Sequence, residues 1–184
     1  EANESAFIVF SNEQETGVTD YSPTERETLL TIDTPWKVDF QKGMRGPDET
    51  YVMTELQTWD KNEDERIRYF SGTATYTNTF KLKKQPDQPV WIDLGRVMVM
   101  ARVYVNNQYA GGVWTSPYRL NIQHLLHKGT NTLRVEVVNN WQNRLIGDQK
   151  LPENERPTWT SVNPWRADSP LQESGLVGPV RLLQ

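Results

Sequence analysis

The sequence predicts an all-β protein, namely an antiparallel β-sandwich with a long irregular loop before its last strand. Short runs of β-branched and aromatic residues recur along the chain, and turn-forming residues separate them. Helical periodicity is almost absent. The chain has 184 residues, which is enough for one domain with a sizeable hydrophobic core.

Three short strands are predicted near the start of the chain. They are "SAFIVF" (5–10), "TLLTID" (28–33) and "WKVDF" (36–40), and each is rich in residues that favour strands. The later polar run "WDKNEDER" (59–66) alternates acidic residues with Lys and Asn. We interpret this run as a solvated loop.

The central strands show the clearest alternation. In "TATYTNTFKL" (73–82) apolar and aromatic residues occupy one face, whereas Thr and Lys occupy the other. The segment "VWIDL" (90–94) leads into "VMVMARVYV" (97–105), whose valines share one face. This spacing predicts half-buried antiparallel strands. The residues predicted to lie in the core are Tyr76, Phe80, Val97, Val99, Val103, Leu133, Val135 and Val137.

The second half of the chain continues with a hairpin and further strands. Asn106-Asn107 is predicted to form the hairpin turn, because Asn tolerates positive φ. A single helical turn is predicted in "QHLLHKGTN" (123–131), closed by Gly129. The strands predicted around these features are "YAGGVW" (109–114), "PYRLNI" (117–122), "TLRVEVVN" (132–139) and "GPVRLL" (178–183).

Residues 143–175 are the exception to this pattern, since they contain several prolines and little periodicity. Irregular loops longer than about 15 residues are uncommon in compact domains and are usually functional or disordered. Leu145, Trp159 and Trp165 make this segment too apolar for a disordered tail. We therefore predict an ordered, aromatic loop.

Composition excludes several classes of function. The net charge of −4 argues against nucleic acid, because phosphate binding requires clustered Lys and Arg. The chain has no Cys, which excludes disulfides, thiol catalysis and Cys-based zinc sites. No apolar run approaches the roughly 18 residues of a membrane span. The opening "EANESAFIVF" lacks the basic and apolar regions of a signal peptide.

Several segments together resemble a known family of accessory domains. They are "FSGTATYTNTFKL", "VWIDLGRVMVMARVYVNNQYAGGVWTSPYRLNI", "LLHKGTNTLRVEVVNNWQNRLIGD" and "SGLVGPVRLL". The broad pattern resembles the sugar-binding domain of glycoside hydrolase family 2, which is a galactose-binding-like jelly roll. The pattern N-x-W-x-N-R-L-I-G-D after a strand, and the ending S-G-L-x-G-P-V-R-L, are more specifically similar to the C-terminal domain of family 106 α-L-rhamnosidases.

The resemblance implies that the chain is part of a larger enzyme. In this family a separate barrel domain cleaves the glycosidic bond, and this chain has neither the βα alternation nor the length of a barrel. Residues 1–34 would be the tail of the preceding region and a linking strand, and residues 35–184 the domain itself. The implied partners are the catalytic domain of the parent hydrolase and a plant-type oligo- or polysaccharide, in a periplasmic or extracellular location. No cofactor is implied.

Three functions remain open at this point. The first is a non-catalytic accessory domain that packs against the catalytic module of an α-L-rhamnosidase-like hydrolase and shapes its cleft. The second is an autonomous carbohydrate-binding module. The third is a protein-interaction domain without sugar contact, which predicts an apolar surface patch without nearby polar groups. The exposure of the loop tryptophans distinguishes the first two.

The first candidate site follows the strand at 132–139. Trp141, Asn143, Arg144 and Asp148 are residue types that sugar sites use, since an aromatic ring packs on the C–H face of a pyranose while amides and charges bind its hydroxyls. The favoured interpretation is structural. Arg144 and Asp148 would form a buried pair that ties down the long loop, with Trp141 as its apolar anchor. Sugar contact is the second interpretation.

Three further tryptophans are candidate sugar contacts. Trp114 follows Gly111-Gly112, which allow the backbone to approach either a ligand or another strand. Trp159 and Trp165 lie in the irregular loop, where an exposed indole would form a stacking platform. The structural alternative is that most of the seven tryptophans pack in the core or against a neighbouring domain.

Spacing identifies neither a catalytic nor a metal site. Glycoside hydrolysis requires two carboxylates about 5–10 Å apart, and no pair is singled out among the acidic residues. His124 and His127 could present two metal ligands, but no third partner lies nearby, so we interpret them as surface imidazoles. A structural calcium ion is compatible with a jelly roll, although no spaced Asp/Asn/Gly loop identifies its site.

Overall fold

Strands dominate residues 26–184, which are the residues that the computed structural model describes. The predicted strand at 5–10 lies outside these residues. The strands are β1 (Thr28–Thr31), β2 (Trp36–Phe40), β3 (Tyr51–Met53), β4 (Thr73–Leu82), β5 (Trp91–Asp93), β6 (Arg96–Met98), β7 (Met100–Val105), β8 (Gln108–Val113), β9 (Arg119–Asn121), β10 (Gly129–Val138), β11 (Gly175–Gly178) and β12 (Arg181–Leu183). The helices are α1 (Glu65–Arg68) and α2 (Gln142–Asp148), with single 3-10 turns at Trp59–Lys61, Gln123–Leu125 and Glu153–Glu155.

Two antiparallel sheets form a sandwich, as predicted. The larger sheet has the order β3-β2-β4-β10-β7-β8, the smaller has the order β1-β12-β5-β9, and β6 pairs separately with β11. Side chains from both sheets meet in one hydrophobic core. β1 belongs to the range 1–34 and pairs with β12, and the predicted domain boundary at residue 35 stays a prediction. Within residues 26–184 the helices are too short and too polar to cross a membrane.

The alternation of apolar residues predicts the core well, with one exception. Seven of the eight predicted core residues are buried, whereas Val99 is 42% exposed. The run 97–105 is divided between β6 and β7, which belong to different sheets. Val99 lies at the junction of the two strands. The alternation therefore fails there because one strand ends and the next begins with a new orientation.

The predicted hairpin is present between β7 and β8. Asn106 and Asn107 have φ values of 51° and 64°, which are the left-handed values that a two-residue hairpin turn requires. The side chain of Asn106 also bonds to the neighbouring connection, since its Nδ2 donates to the Leu125 carbonyl at 2.9 Å. The 3-10 turn before β10 ends at Leu125. Gly129 therefore does not close that turn, contrary to the prediction. Gly129 instead begins β10 with a φ of 97°.

The run 59–66 is only partly the solvated loop that its charges predict. Trp59 is fully buried and packs edge-on against Phe40 and Phe70, at centroid distances of 5.7 and 5.6 Å. Its Nε1 donates a hydrogen bond of 2.6 Å to the hydroxyl of Tyr76. β11 lies so close to the indole that a Cβ on Gly175 would be 2.5 Å from Nε1. One apolar residue among many charges thus anchors this segment to the core.

The predicted irregular loop at 143–175 is shorter than expected. Its first residues belong to α2, and its last residue begins β11. A seven-residue helix makes only about two turns, which is too short for its periodicity to be recognised in a sequence. The remaining connection between α2 and β11 contains only a 3-10 turn at Glu153–Glu155. The prediction of a wholly irregular segment was therefore wrong for its two ends.

Candidate functional site

Asn139 and Asn140 link the end of β10 to helix α2. The amide of Asn139 is buried, donating to the Phe70 carbonyl at 2.7 Å and accepting from the Gly72 amide at 3.0 Å. Asn140 Oδ1 accepts from the backbone amide of Gln142 at 3.1 Å, at the beginning of the helix. These side-chain amides take the place of ladder partners where the strand ends.

Asn143 ties the helix to the segment that leads into β11. Its side chain is 2% exposed, and its Nδ2 donates to the carbonyl of Gln172 at 2.7 Å while its Oδ1 accepts from the amide of Gln172 at 2.8 Å. This two-point contact imitates the pairing of one backbone residue with another. The sequence suggested Asn143 as a candidate sugar contact, but the described residues already satisfy both polar atoms of its side chain.

Arg144 and Asp148 form the buried pair predicted from their opposite charges. They lie four residues apart on α2, with Arg144 Nη2 2.6 Å from Asp148 Oδ1 and side-chain exposures of 15% and 2%. The hydroxyl of Thr158 donates to the other carboxylate oxygen. This hydrogen bond holds the loop at residue 158 against the helix, and the ion pair within the helix balances the charge of the buried carboxylate. The structural interpretation of the pair is therefore supported by the geometry.

Trp141 does not act as the apolar anchor of this region, which corrects the prediction. Its indole is 52% exposed. The apolar contact comes instead from Ile146, which is 1% exposed, and from Gly147, where a Cβ would be 2.6 Å from the ring of Tyr69. The orientation of a short helix cannot be derived from two turns of sequence. The indole of Trp141, directly before α2, faces solvent, whereas the side chain of Ile146 lies on the buried side of the helix.

A cavity of about 180 Å³ lies beside α2, and we call it the α2 cavity. It combines an exposed indole, two guanidinium groups and two hydroxyls. Its lining residues are Gly43, Met44, Arg45, Ser71, Trp141, Arg144, Pro157 and Thr158. Sequence analysis identified Trp141 and Arg144 but missed the turn at 43–45 and Ser71. Nothing in their local sequence links them to Trp141 and Arg144, which follow about 70 to 100 positions later.

The other candidate tryptophans do not line the α2 cavity. Trp114, directly after β8, is 71% exposed, and Trp159 is 83% exposed, whereas Trp165 is half-buried. Gly111, the first of the two glycines before Trp114, serves a strand contact, because a Cβ on it would be 3.0 Å from the Leu120 side chain of β9. Each exposed indole offers a flat apolar surface to a sugar or to a protein partner.

Two carboxyl groups of the described residues have lowered pKa values. A glycosidase needs a carboxylic acid whose pKa is raised, so that it can donate a proton near neutral pH. Hydrogen bonds from Arg66 instead lower the pKa values of Glu49 and Asp64. No group of three or more potential metal ligands occurs within residues 26–184. His124 and His127 are both exposed, as predicted for surface imidazoles.

Comparison with known proteins identifies related domains. A family model described as "Glycosyl hydrolase 2 galactose-binding domain-like" matches residues 50–170. A solved rhamnosidase from Novosphingobium sp. PP1Y is 41% identical, with a TM-score of 0.80 over 88% of this chain. This chain covers only 15% of that enzyme.

Two further relatives are β-glucuronidases by name. A protein from Formosa agariphila named "Putative beta-glucuronidase" is 36% identical over an alignment of 154 positions, and the alignment covers 70% of this chain and 13% of that protein. A β-glucuronidase from Ruminococcus gnavus in complex with D-glucuronic acid has a TM-score of 0.61 over 86% of this chain and 29% of its own, at 18% identity, which shows the fold alone. Because the family model matches well over half of the residues, this chain belongs to the glycosyl hydrolase 2 galactose-binding domain-like family.

Proposed function

We propose that this chain is the non-catalytic, C-terminal accessory domain of an α-L-rhamnosidase-like glycoside hydrolase of family 106. It packs against the catalytic module, shapes the cleft of that module and contacts a plant-type oligo- or polysaccharide. The parent enzyme acts in the periplasm or outside the cell, where such glycans are available.

The observation that carries this proposal is the likeness to the Novosphingobium rhamnosidase. The identity of 41% extends over 88% of this chain, yet that stretch is only 15% of the enzyme. A domain that makes up so small a fraction of the enzyme's length accompanies a much larger catalytic part. The exposed indoles of Trp114 and Trp159 supply surfaces with which an accessory domain can contact its neighbour or a glycan.

The isolated chain is expected not to hydrolyse glycosides. A catalytic barrel needs about 250 residues with eight βα units, whereas residues 26–184 form a β-sandwich whose two α-helices have four and seven residues. Release of nitrophenol from aryl α-L-rhamnoside and aryl β-D-glucuronide checks this expectation. Turnover above the buffer background that a single Asp or Glu substitution abolishes would contradict it.

The parent enzyme tests the proposed activity. We expect the full-length protein that contains this chain to cleave aryl α-L-rhamnoside, and we expect deletion of this chain to abolish that activity by destabilising the catalytic module. An inactive site variant of the barrel serves as the control for background hydrolysis. Cleavage of aryl β-D-glucuronide in place of the rhamnoside would contradict the assignment to a rhamnosidase.

An autonomous carbohydrate-binding module is the second candidate function, and the exposed tryptophans favour it. Trp114→Ala and Trp159→Ala should change the unfolding free energy of the isolated chain by less than about 0.5 kcal/mol, because both indoles are exposed. Trp59→Ala is the buried control and should destabilise by about 3–5 kcal/mol. If the two exposed positions contact the catalytic module, the same substitutions lower the melting temperature of the parent enzyme. If they form a binding module, glycan affinity falls while both melting temperatures stay unchanged.

A further inference from the structure

We propose that the α2 cavity binds the carboxylate-bearing ring of a uronic acid residue in a glycan. The inference rests on the proposed function, since it names the sugar class for the carbohydrate contact of the accessory domain. The cavity of about 180 Å³ is smaller than the ~300–1,000 Å³ sites of drug-sized ligands, so it suits a single ring. Its chemistry then decides which ring.

The cavity carries a positive charge that the protein does not balance. Arg45 is exposed, and its guanidinium has no ion-pair or hydrogen-bond partner among residues 26–184. Its φ of 64° lies in the left-handed region, which is uncommon for Arg and places the residue within the turn that follows β2. An unpaired cation held at the rim of a cavity favours an anionic ligand.

Arg144 adds a second guanidinium to the lining of the cavity. A guanidinium has five N–H donors, and the ion pair with Asp148 engages only the Nη2 end. Its buried Nε has no hydrogen-bond partner within the described part of the chain. Asp148 balances the charge of Arg144, so Arg45 remains the cation without a counter-charge. Two guanidinium groups at one cavity match the planar, two-oxygen geometry of a carboxylate.

The remaining lining residues suit the rest of a pyranose. The half-exposed indole of Trp141 can pack on the C–H face of the ring. The hydroxyl of Ser71 donates to the Asn140 carbonyl at 3.1 Å, and the hydroxyl of Thr158 donates to Asp148. Both protons are therefore engaged, and the oxygen lone pairs remain to accept hydrogen bonds from sugar hydroxyls. The cavity offers cations for the carboxylate, an aromatic wall for the ring and acceptors for the hydroxyls.

Titration with two matched ligands tests the inference. Methyl β-D-glucuronide and methyl β-D-glucoside differ only in the carboxylate, and binding to the 184-residue chain is followed by NMR of the Trp141 indole N–H. We expect the glucuronide to bind at least about tenfold more tightly, with an affinity that falls as salt rises. Arg45→Ala should remove this preference. Arg166→Ala is the matched control, because it removes an equally charged, exposed side chain outside the cavity.

Several results would overturn the inference. Equal binding of the two ligands, absence of binding, or a preference that survives Arg45→Ala would each do so, provided that the melting temperature shows the variant to be folded. Tighter binding of methyl β-D-glucoside 6-sulfate than of the glucuronide would show that the cavity selects a sulfate ester and not a carboxylate. The rhamnosidase assay of the parent enzyme is independent of this titration. Rhamnosidase activity without glucuronide binding rejects only this inference. Glucuronide binding without rhamnosidase activity rejects only the proposed function.

Discussion

Replacing Arg144 with alanine is expected to lower the free energy of unfolding by about 2–4 kcal/mol. The substitution leaves the carboxylate of Asp148, which is 2% exposed, with the hydroxyl of Thr158 but without its cation. Removing one partner of a fully buried ion pair costs about 3–5 kcal/mol. The cost is smaller here because the Arg144 side chain is 15% exposed, so water partly reaches the site. Denaturant unfolding at neutral pH measures the change.

Asp148→Asn provides the partner variant for a double-mutant cycle. Asparagine keeps the shape of the side chain and its acceptor for Thr158 but has no charge that burial would penalise. The double variant should therefore be less destabilised than the sum of the single variants, with a coupling energy of about 0.5–3 kcal/mol. Arg181→Ala removes an exposed arginine and should cost less than about 0.5 kcal/mol. A loss below about 1 kcal/mol for Arg144→Ala would contradict the role of the buried pair.

The sequence predicted the strands wherever one strand occupies one alternating run. In β4 every second residue from Ala74 to Leu82 is buried, and the pattern needs no knowledge of its neighbours. Val99 shows the limit, because alternation continues in the sequence across the gap between β6 and β7. Trp59 shows the opposite case, since the local charges predict solvent while a distant acceptor, the Tyr76 hydroxyl, keeps the indole buried.

Within the candidate site, only the pairing of Arg144 with Asp148 was predicted, from their opposite charges and without the helix that carries them. Arg144 and Asp148 are four residues apart, which is the spacing of side chains that meet on a helix. The contacts that complete the site are long-range, and no local pattern indicates them. Asn143 bonds to Gln172, and the turn at Arg45 reaches the same cavity from about 100 residues earlier. The exposure of Trp141 depends on how α2 packs, and the sequence does not specify that packing.

Replacing Tyr76 with phenylalanine is expected to lower the free energy of unfolding by about 2–4 kcal/mol, although only one oxygen is removed. The buried hydroxyl accepts hydrogen bonds from Trp59 Nε1 at 2.6 Å and from the amide of Leu176 at 3.2 Å. Phenylalanine keeps the ring stacked on Trp59 but leaves both donors buried without an acceptor. Each such donor costs about 1–3 kcal/mol, and the longer bond contributes less.

Tyr109→Phe is the matched control for this prediction. Tyr109 is 59% exposed, so water replaces any lost hydrogen bond and the change should stay within about 0.5 kcal/mol. Chemical denaturation of both variants at neutral pH gives the comparison. Equal effects of the two substitutions would show that the Tyr76 hydroxyl does not organise the contact between Trp59 and β11.

Alkaline pH distinguishes the lost hydroxyl from a mere packing defect. Burial raises the pKa of the Tyr76 hydroxyl above its ordinary value of 10.0, and the hydrogen bonds from Leu176 and Trp59 offset this only in part. Above about pH 10 the Tyr76 hydroxyl therefore loses its proton in the unfolded chain but keeps it in the folded protein. As a result, the free energy of unfolding falls by up to about 1.4 kcal/mol per pH unit. Phenylalanine has no such proton. The stability difference between the natural chain and Tyr76→Phe should stay constant from about pH 7 to about pH 9 and shrink above about pH 10. A constant difference up to about pH 11 would mean that Tyr76 ionises equally in the folded and unfolded states.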